Sequence, residues 1–119
     1  MAQILVLDDV LDAGILIKKI LERKGHSVHV FDEEEETLKY VREHAVDLAI
    51  LDIKLKKLTG IEVLEELRKI RPEIRVIMLT GYPTIETAGQ ALGLGAAGYC
   101  VKPIDKEELE EKVERVLST

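Results

Sequence analysis

Four apolar runs in this chain stop on residues that can do chemistry. Ile4-Leu5-Val6-Leu7 is followed by Asp8-Asp9, and the mostly apolar Val46-Asp47-Leu48-Ala49-Ile50-Leu51 by Asp52. Val76-Ile77-Met78-Leu79 is followed by Thr80, and Tyr99-Cys100-Val101 by Lys102. If the runs are neighbouring parallel strands, these acids, the hydroxyl and the ammonium converge. Gathered carboxylates repel, which either raises some pKa values or recruits a cation. Asp8, Asp9 and Asp52 offer the hard oxygen ligands that Mg²⁺ takes, and no His or Cys stands with them, which argues against zinc. A carboxylate can also act as a nucleophile and carry an aspartyl phosphate. Mg²⁺ would then offset repulsion of an incoming phosphoryl group, while Lys102 and the Thr80 hydroxyl could each meet a phosphoryl oxygen. Positioning and charge neutralisation are most of what phosphoryl transfer requires.

The elements that must position these groups are legible as alternation. Residues 4–7 read as a short strand, and a helix follows over 12–24, with Leu16, Ile17, Ile20 and Leu21 at helical spacing and Gly25 at its C-cap. Residues 28–31 are a second strand. Asp32 is placed to cap the next helix, whose first turn holds Glu33 to Glu36 as a solvated start and whose inner face is Leu38, Val41 and Ala45. The third strand is 46–51, and Gly60 ends the loop before a helical stripe of Val63, Leu64, Leu67 and Ile70, stopped by Arg71-Pro72. After a fourth strand over 74–79, Thr84 caps a helix to about Leu92, with Ile85, Ala88, Ala91 and Leu92 on its apolar side. Gly89 inside that helix weakens it by about 1 kcal/mol relative to Ala, making it the least stable of the five. A fifth strand over 98–101 precedes a last helix, capped by Asp105 with Glu108 as capping-box partner, and with Leu109, Val113, Val116 and Leu117 facing inward. Strands apolar on both faces alternating with helices predict an open, doubly wound α/β domain with a parallel sheet. Ligands of such sheets bind beyond the carboxyl ends of the strands, where all the polar strand ends lie.

The 119 residues suffice for one domain over 1–119, and 46% hydrophobic with 34% charged residues describes a globular chain. A net charge of −6 argues against direct nucleic-acid binding. Cys100, alone and in an apolar segment, reads as a buried reduced thiol, consistent with the cytosol. No apolar run reaches the length of a membrane span, and no leader or lipidation signal is read at the ends. His26, His29 and His44 lack metal spacing and read as surface residues. Gly93-Leu94-Gly95-Ala96-Ala97-Gly98 fits a G-x-G-x-x-G string, but it follows a helix and leads into a strand, the reverse of a dinucleotide fingerprint. Each polar strand end alone could be a turn or a solvated side chain; four coincidences at four strand ends favour one site.

Asp8-Asp9, Asp52, Thr80-Gly81 and Lys102-Pro103, each at the end of its strand, make essentially the whole chain resemble the receiver domain of two-component response regulators. The resemblance implies a flavodoxin-like sheet of order 2-1-3-4-5 with five helices. It implies that Asp52 accepts phosphate from a histidine kinase, that Asp9, Asp52 and the Lys54 carbonyl ligate Mg²⁺ with Asp8 assisting through water, and that Thr80 and Lys102 bind phosphoryl oxygens. A cis Lys102-Pro103 bond is implied too, as is a switch role for Tyr99, whose ring reorients as Thr80 moves. Two positions depart from the pattern: Lys56 stands where many receivers have proline, predicting a more mobile and more basic loop over 55–58, and Gly98 where many have an acid. Residues 81–88 look like receivers of the nitrogen-regulatory, transcription-activating type.

The leading expectation is therefore a cytoplasmic signalling switch, not an enzyme in the ordinary sense, whose last two helices and fifth strand engage a second receiver or an effector. A metal-dependent phosphatase using an aspartyl phosphate is the competing enzyme reading, disfavoured because Lys54 occupies the place of its usual second acid. A phosphate-independent interaction module is the third.

Overall fold

A computed structural model describes residues 1–55 and 59–118. Lys56, Lys57 and Leu58 lie outside the described residues, and with them the reading of the proline-free loop. Ten elements alternate: β1 (Gln3–Leu7), α1 (Leu11–Glu22), β2 (Ser27–Phe31), α2 (Glu34–Glu43), β3 (Leu48–Asp52), α3 (Gly60–Ile70), β4 (Arg75–Thr80), α4 (Ile85–Gly93), β5 (Gly98–Val101) and α5 (Lys106–Leu117). All strand pairs are parallel and the order is β2-β1-β3-β4-β5, the flavodoxin-like order expected.

The period of two along a strand explains why the strands read as unbroken apolar runs. Ile4 and Val6 of β1 face one side, with Leu48 and Ile50 of β3 and Ile77 and Leu79 of β4, and pack against Ile17, Ile20 and Leu21 of α1 and Leu109 and Val113 of α5. Leu5, Leu7, Ala49, Leu51, Val76 and Met78 face the other, against Val41 of α2, Val63, Leu64 and Leu67 of α3 and Ala91 of α4. Both layers are lined by buried apolar side chains, so neither face of the central strands needs polar residues. Gly14 lets α1 approach the sheet closely, since a Cβ there would lie 2.6 Å from Val30 Cγ1.

Several expected helix details are corrected. Leu16 is half exposed, and Gly14 takes its place on the inner face of α1. Ala45 lies beyond the end of α2 and is exposed; Thr37 and Glu34 are buried instead, so Glu34 is not part of a solvated start. Neither Asp32 nor Asp105 caps a helix through its side chain: α2 begins after Glu33, and Asp105 makes no capping hydrogen bond. The capping box lies at α3, where the Thr59 hydroxyl accepts from the Glu62 N–H and the Glu62 carboxylate accepts from the Thr59 N–H. Ile85 and Leu92 of α4 are 92% and 72% exposed, leaving Ala91 as that helix's buried residue. His44 is exposed as expected, whereas His26 and His29 are partly buried; the His29 and His44 rings both lie against Tyr40, at 5.1 and 4.1 Å between centroids.

Candidate functional site

The in-register pairing puts the carboxyl ends of β1, β3 and β4 side by side: Leu7 pairs Leu51, and Asp52 pairs Leu79. The residue ending or following each strand therefore projects at the same edge. Asp8, Asp52 and Thr80 share one local device. The Asp8 carboxylate accepts from the Val10 N–H at 2.9 Å, the Asp52 carboxylate from the Lys54 N–H at 3.2 Å, and the Thr80 hydroxyl from the Tyr82 N–H at 3.0 Å. Each is an Asx- or ST-type turn that reverses the chain and fixes the polar group at the strand end. Because the Thr80 oxygen accepts, its proton stays available to an acceptor.

One carboxylate oxygen from each of Asp8, Asp9 and Asp52 lies within 4.8 Å of the others. Asp8 is fully buried and Asp52 is 4% exposed. Lys102 reaches in from the end of β5, where its N–H donates to the Thr80 carbonyl, and its Nζ donates to Asp8 at 2.9 Å and to Asp52 at 3.1 Å. The Lys102-Pro103 bond is cis.

Burial is the largest influence on Asp52 and raises its pKa; the Asp8 charge adds to this, the hydrogen bond from Lys102 opposes it, and the result is about 6. Burial pulls the Lys102 ammonium down, but its hydrogen bonds to Asp8 and Asp52 outweigh that and hold it above the ordinary lysine value. The cluster is thus an acid-rich site in which one lysine only partly compensates the carboxylates. All three acids offer oxygen donors without His or Cys, a donor set suited to Mg²⁺.

A cleft of about 340 Å³ opens above the acids, lined by Asp9, Asp52, Leu55, Gly81 and Lys102, with Lys54 and Tyr82 at its rim. The Lys54 ammonium lies 4.4 Å from the centre of the Tyr82 ring, a cation–π contact joining the two loops over the site. Asp8 and Thr80 lie below this lining.

Tyr99 stands apart from the acids on β5. Its hydroxyl hydrogen-bonds the Thr87 hydroxyl of α4 at 3.1 Å, and its carbonyl accepts from Lys112 Nζ of α5 at 2.7 Å. The residue thus links the last two helices.

Four contributors are not apparent as such in the sequence. Gly60 does more than end a loop: a Cβ there would fall 2.2 Å from the Asp52 carbonyl oxygen, so only glycine lets α3 start against the Asp52 backbone. Tyr82 stands two residues after Thr80, as Lys54 stands two after Asp52, and that shared offset from adjacent strands was the available signal. Thr87 and Lys112 bear on Tyr99 only through tertiary contact and have no such signal.

A family model for the response regulator receiver domain matches residues 4–114. The transcriptional regulatory protein ZraR of Escherichia coli is 33% identical over 115 residues, 97% of this chain but 26% of that protein, so this chain spans about a quarter of that relative's length. Sporulation initiation phosphotransferase F of Bacillus subtilis is 30% identical over 97% of this chain and 93% of its own length. Among solved structures, a CheY-like response regulator receiver domain protein from Methanospirillum hungatei superposes with a TM-score of 0.95 at 35% identity, covering 99% of this chain and 94% of that one. With the strand order and the acidic cluster at the carboxyl edge, these likenesses show that the chain belongs to the response regulator receiver domain family of two-component signalling.

Proposed function

We propose that Asp52 is the phosphoacceptor of a histidine kinase and that its phosphorylation switches the face formed by α4, β5 and α5. The observation that carries this is the convergence of Asp8, Asp9, Asp52 and Lys102 beneath one open cleft. Asp52 is the acid that both lines the cleft and ends the central strand, β3. Its carboxylate attacks phosphorus, and the phosphoryl group's former partner leaves with the bonding electrons. Lys102 exchanges its contact with Asp52 for a phosphoryl oxygen, and the Thr80 hydroxyl donates its proton to another. Asp9, Asp52 and the Lys54 carbonyl would hold Mg²⁺, with Asp8 acting through water. When bound, the ion supplies positive charge against the combined negative charge of acids and phosphate.

Tyr99 carries the change outward. Thr80 pairs with Val101 of β5 in register, and Tyr99 bonds both α4 and α5, so movement of Thr80 reaches both helices through one strand. The exposed apolar residues Ile85, Leu92 and Val101 suit contact with a second receiver or an effector. Cys100, buried and unpaired, supports a reducing compartment, the cytoplasm. The domain would act as a switch that takes part in its own phosphorylation rather than as an enzyme turning over a separate substrate.

The test is intact-mass spectrometry after treatment with acetyl phosphate. The expected result is one added phosphoryl group with Mg²⁺ present, little without it, and none in Asp52→Asn. Rapid turnover of phosphate esters would instead favour a phosphatase, and unchanged cellular function of Asp52→Ala would favour a phosphate-independent module.

A further inference from the structure

The two ends of α4 are held very differently. At the N-terminal end Ile85 and Glu86 are exposed, and among the described residues the side-chain tertiary hydrogen bond is the Thr87–Tyr99 contact. At the C-terminal end the chain closes in a Schellman-type turn: the Ala96 N–H donates to the Ala91 carbonyl, and Gly95 takes φ +81. Ala91 is buried there, and the Ala97 N–H donates to the Val76 carbonyl of β4.

Arg68 of α3 fastens that closed end. Its Nε donates to the Leu94 carbonyl at 2.8 Å and its Nη2 to the Gly95 carbonyl at 3.0 Å, across 26 and 27 residues. Its Nη1 donates to the carbonyls of Pro72 and Ile74, where the chain enters β4. One planar guanidinium thus joins α3, the start of β4 and the loop leaving α4, a task that needs a rigid fork of donors and that a lysine can perform only in part. The Leu94 and Gly95 carbonyls lie at the C-cap and in the turn just past the end of α4, where no further helical turn supplies them with donors.

We propose that Arg68 is the fixed pivot of α4: it locks the helix's C-terminal end to the body of the domain, so that α4 opens and reorients from its N-terminal end. Its part in signalling rests on the switch reading above, but the clamp itself is a property of the resting domain. A helix fixed at one end converts a small displacement near Thr80 and Tyr99 into a swing of the exposed Ile85 end. Without the pivot the same displacement would be lost as general loosening of the helix.

Amide hydrogen exchange on the unphosphorylated chain tests the clamp directly. In the wild type, the amides of 94–97 exchange more slowly than those of 88–90. In Arg68→Met, the amides of 94–97 accelerate by about tenfold or more, the ratio that losing one charge-assisted hydrogen bond carries, and the asymmetry disappears. Arg68→Lys gives an intermediate effect and serves for the same comparison if Arg68→Met does not fold. Equal exchange at the two ends in the wild type, or unchanged protection of 94–97 in both variants, overturns the proposal. A second arm adds beryllofluoride and Mg²⁺ as a phosphoryl mimic: wild-type changes are expected at 85–90 and not at 94–97, and a response of equal size at both ends also overturns the pivot. Absence of any response to beryllofluoride counts against the phosphorylation reading, while the resting-state comparison still decides the clamp.

Discussion

Asp52→Asn should make the metal-free domain more stable, although it removes an ion pair. Asp52 is nearly buried, faces Asp8, and has its pKa pushed up to about 6 from an ordinary 3.8, even with Lys102 at 3.1 Å. A carboxyl whose folded pKa is raised favours the folded state when it is protonated. Its contribution is fully present below pH 3.8 and is lost as the pH rises through 6. At about 1.4 kcal/mol for each pH unit between those values, the ionised carboxylate costs the folded state about 3 kcal/mol at pH 8. Asparagine keeps the shape and never ionises. Urea unfolding of both proteins, followed by circular dichroism with a chelator present, should therefore show Asp52→Asn ahead by about 3 kcal/mol at pH 8. The advantage should shrink between pH 6 and pH 4. Carboxyls common to both proteins largely cancel in the difference. A variant equally or less stable at pH 8, or one whose advantage does not change with pH, would refute the reasoning: the lysine would then fully compensate the acids.

Other perturbations separate the parts of the account. Lys102→Met leaves Asp8 and Asp52 without their shared cation and should cost about 3 kcal/mol at pH 8, and less as the pH falls and Asp52 takes up its proton, by the same unfolding assay. Gly60→Ala forces a methyl group against the Asp52 backbone; a loss of about 3 kcal/mol is expected in thermal or urea unfolding, together with slower acquisition of phosphate from acetyl phosphate. Thr59→Ala breaks the capping box of α3 and should cost about 1 kcal/mol without changing how Mg²⁺ binds. Mg²⁺ at about a hundred times its dissociation constant should stabilise the wild type by about 2.7 kcal/mol and Asp52→Asn by much less, as a thermal-shift titration can measure.

The fold was legible because its core obeys simple periodicities. The central strands β1, β3 and β4 are apolar on both faces, so their positions could be read without knowing their neighbours, and the polar residue ending each run marked the functional edge. The site was legible for the same reason, since parallel register carries four sequence-distant residues to one place. Errors fell where tertiary contact overrides local pattern. Leu16, Ile85 and Leu92 have helical spacing but face outward, because α1 is seated on the sheet through Gly14 and α4 touches the core through Ala91. Glu34 looked like one of four interchangeable acids and proved buried. Asp105 has the chemistry of a cap but makes no such bond, whereas Thr59, hidden in the loop after β3, does. The clamp made by Arg68 depends on carbonyls 26 and 27 residues away, and no local pattern announces it.

The central claim is that Asp52, and no other carboxylate of the cluster, receives the phosphoryl group. Borohydride trapping tests it most directly: an acyl phosphate formed with acetyl phosphate and Mg²⁺ is reduced, and the altered residue is located by peptide sequencing. The account predicts conversion at position 52, with Asp8 and Asp9 unmodified. Conversion at Asp8 or Asp9, or none anywhere in a folded, Mg²⁺-loaded domain, would contradict it.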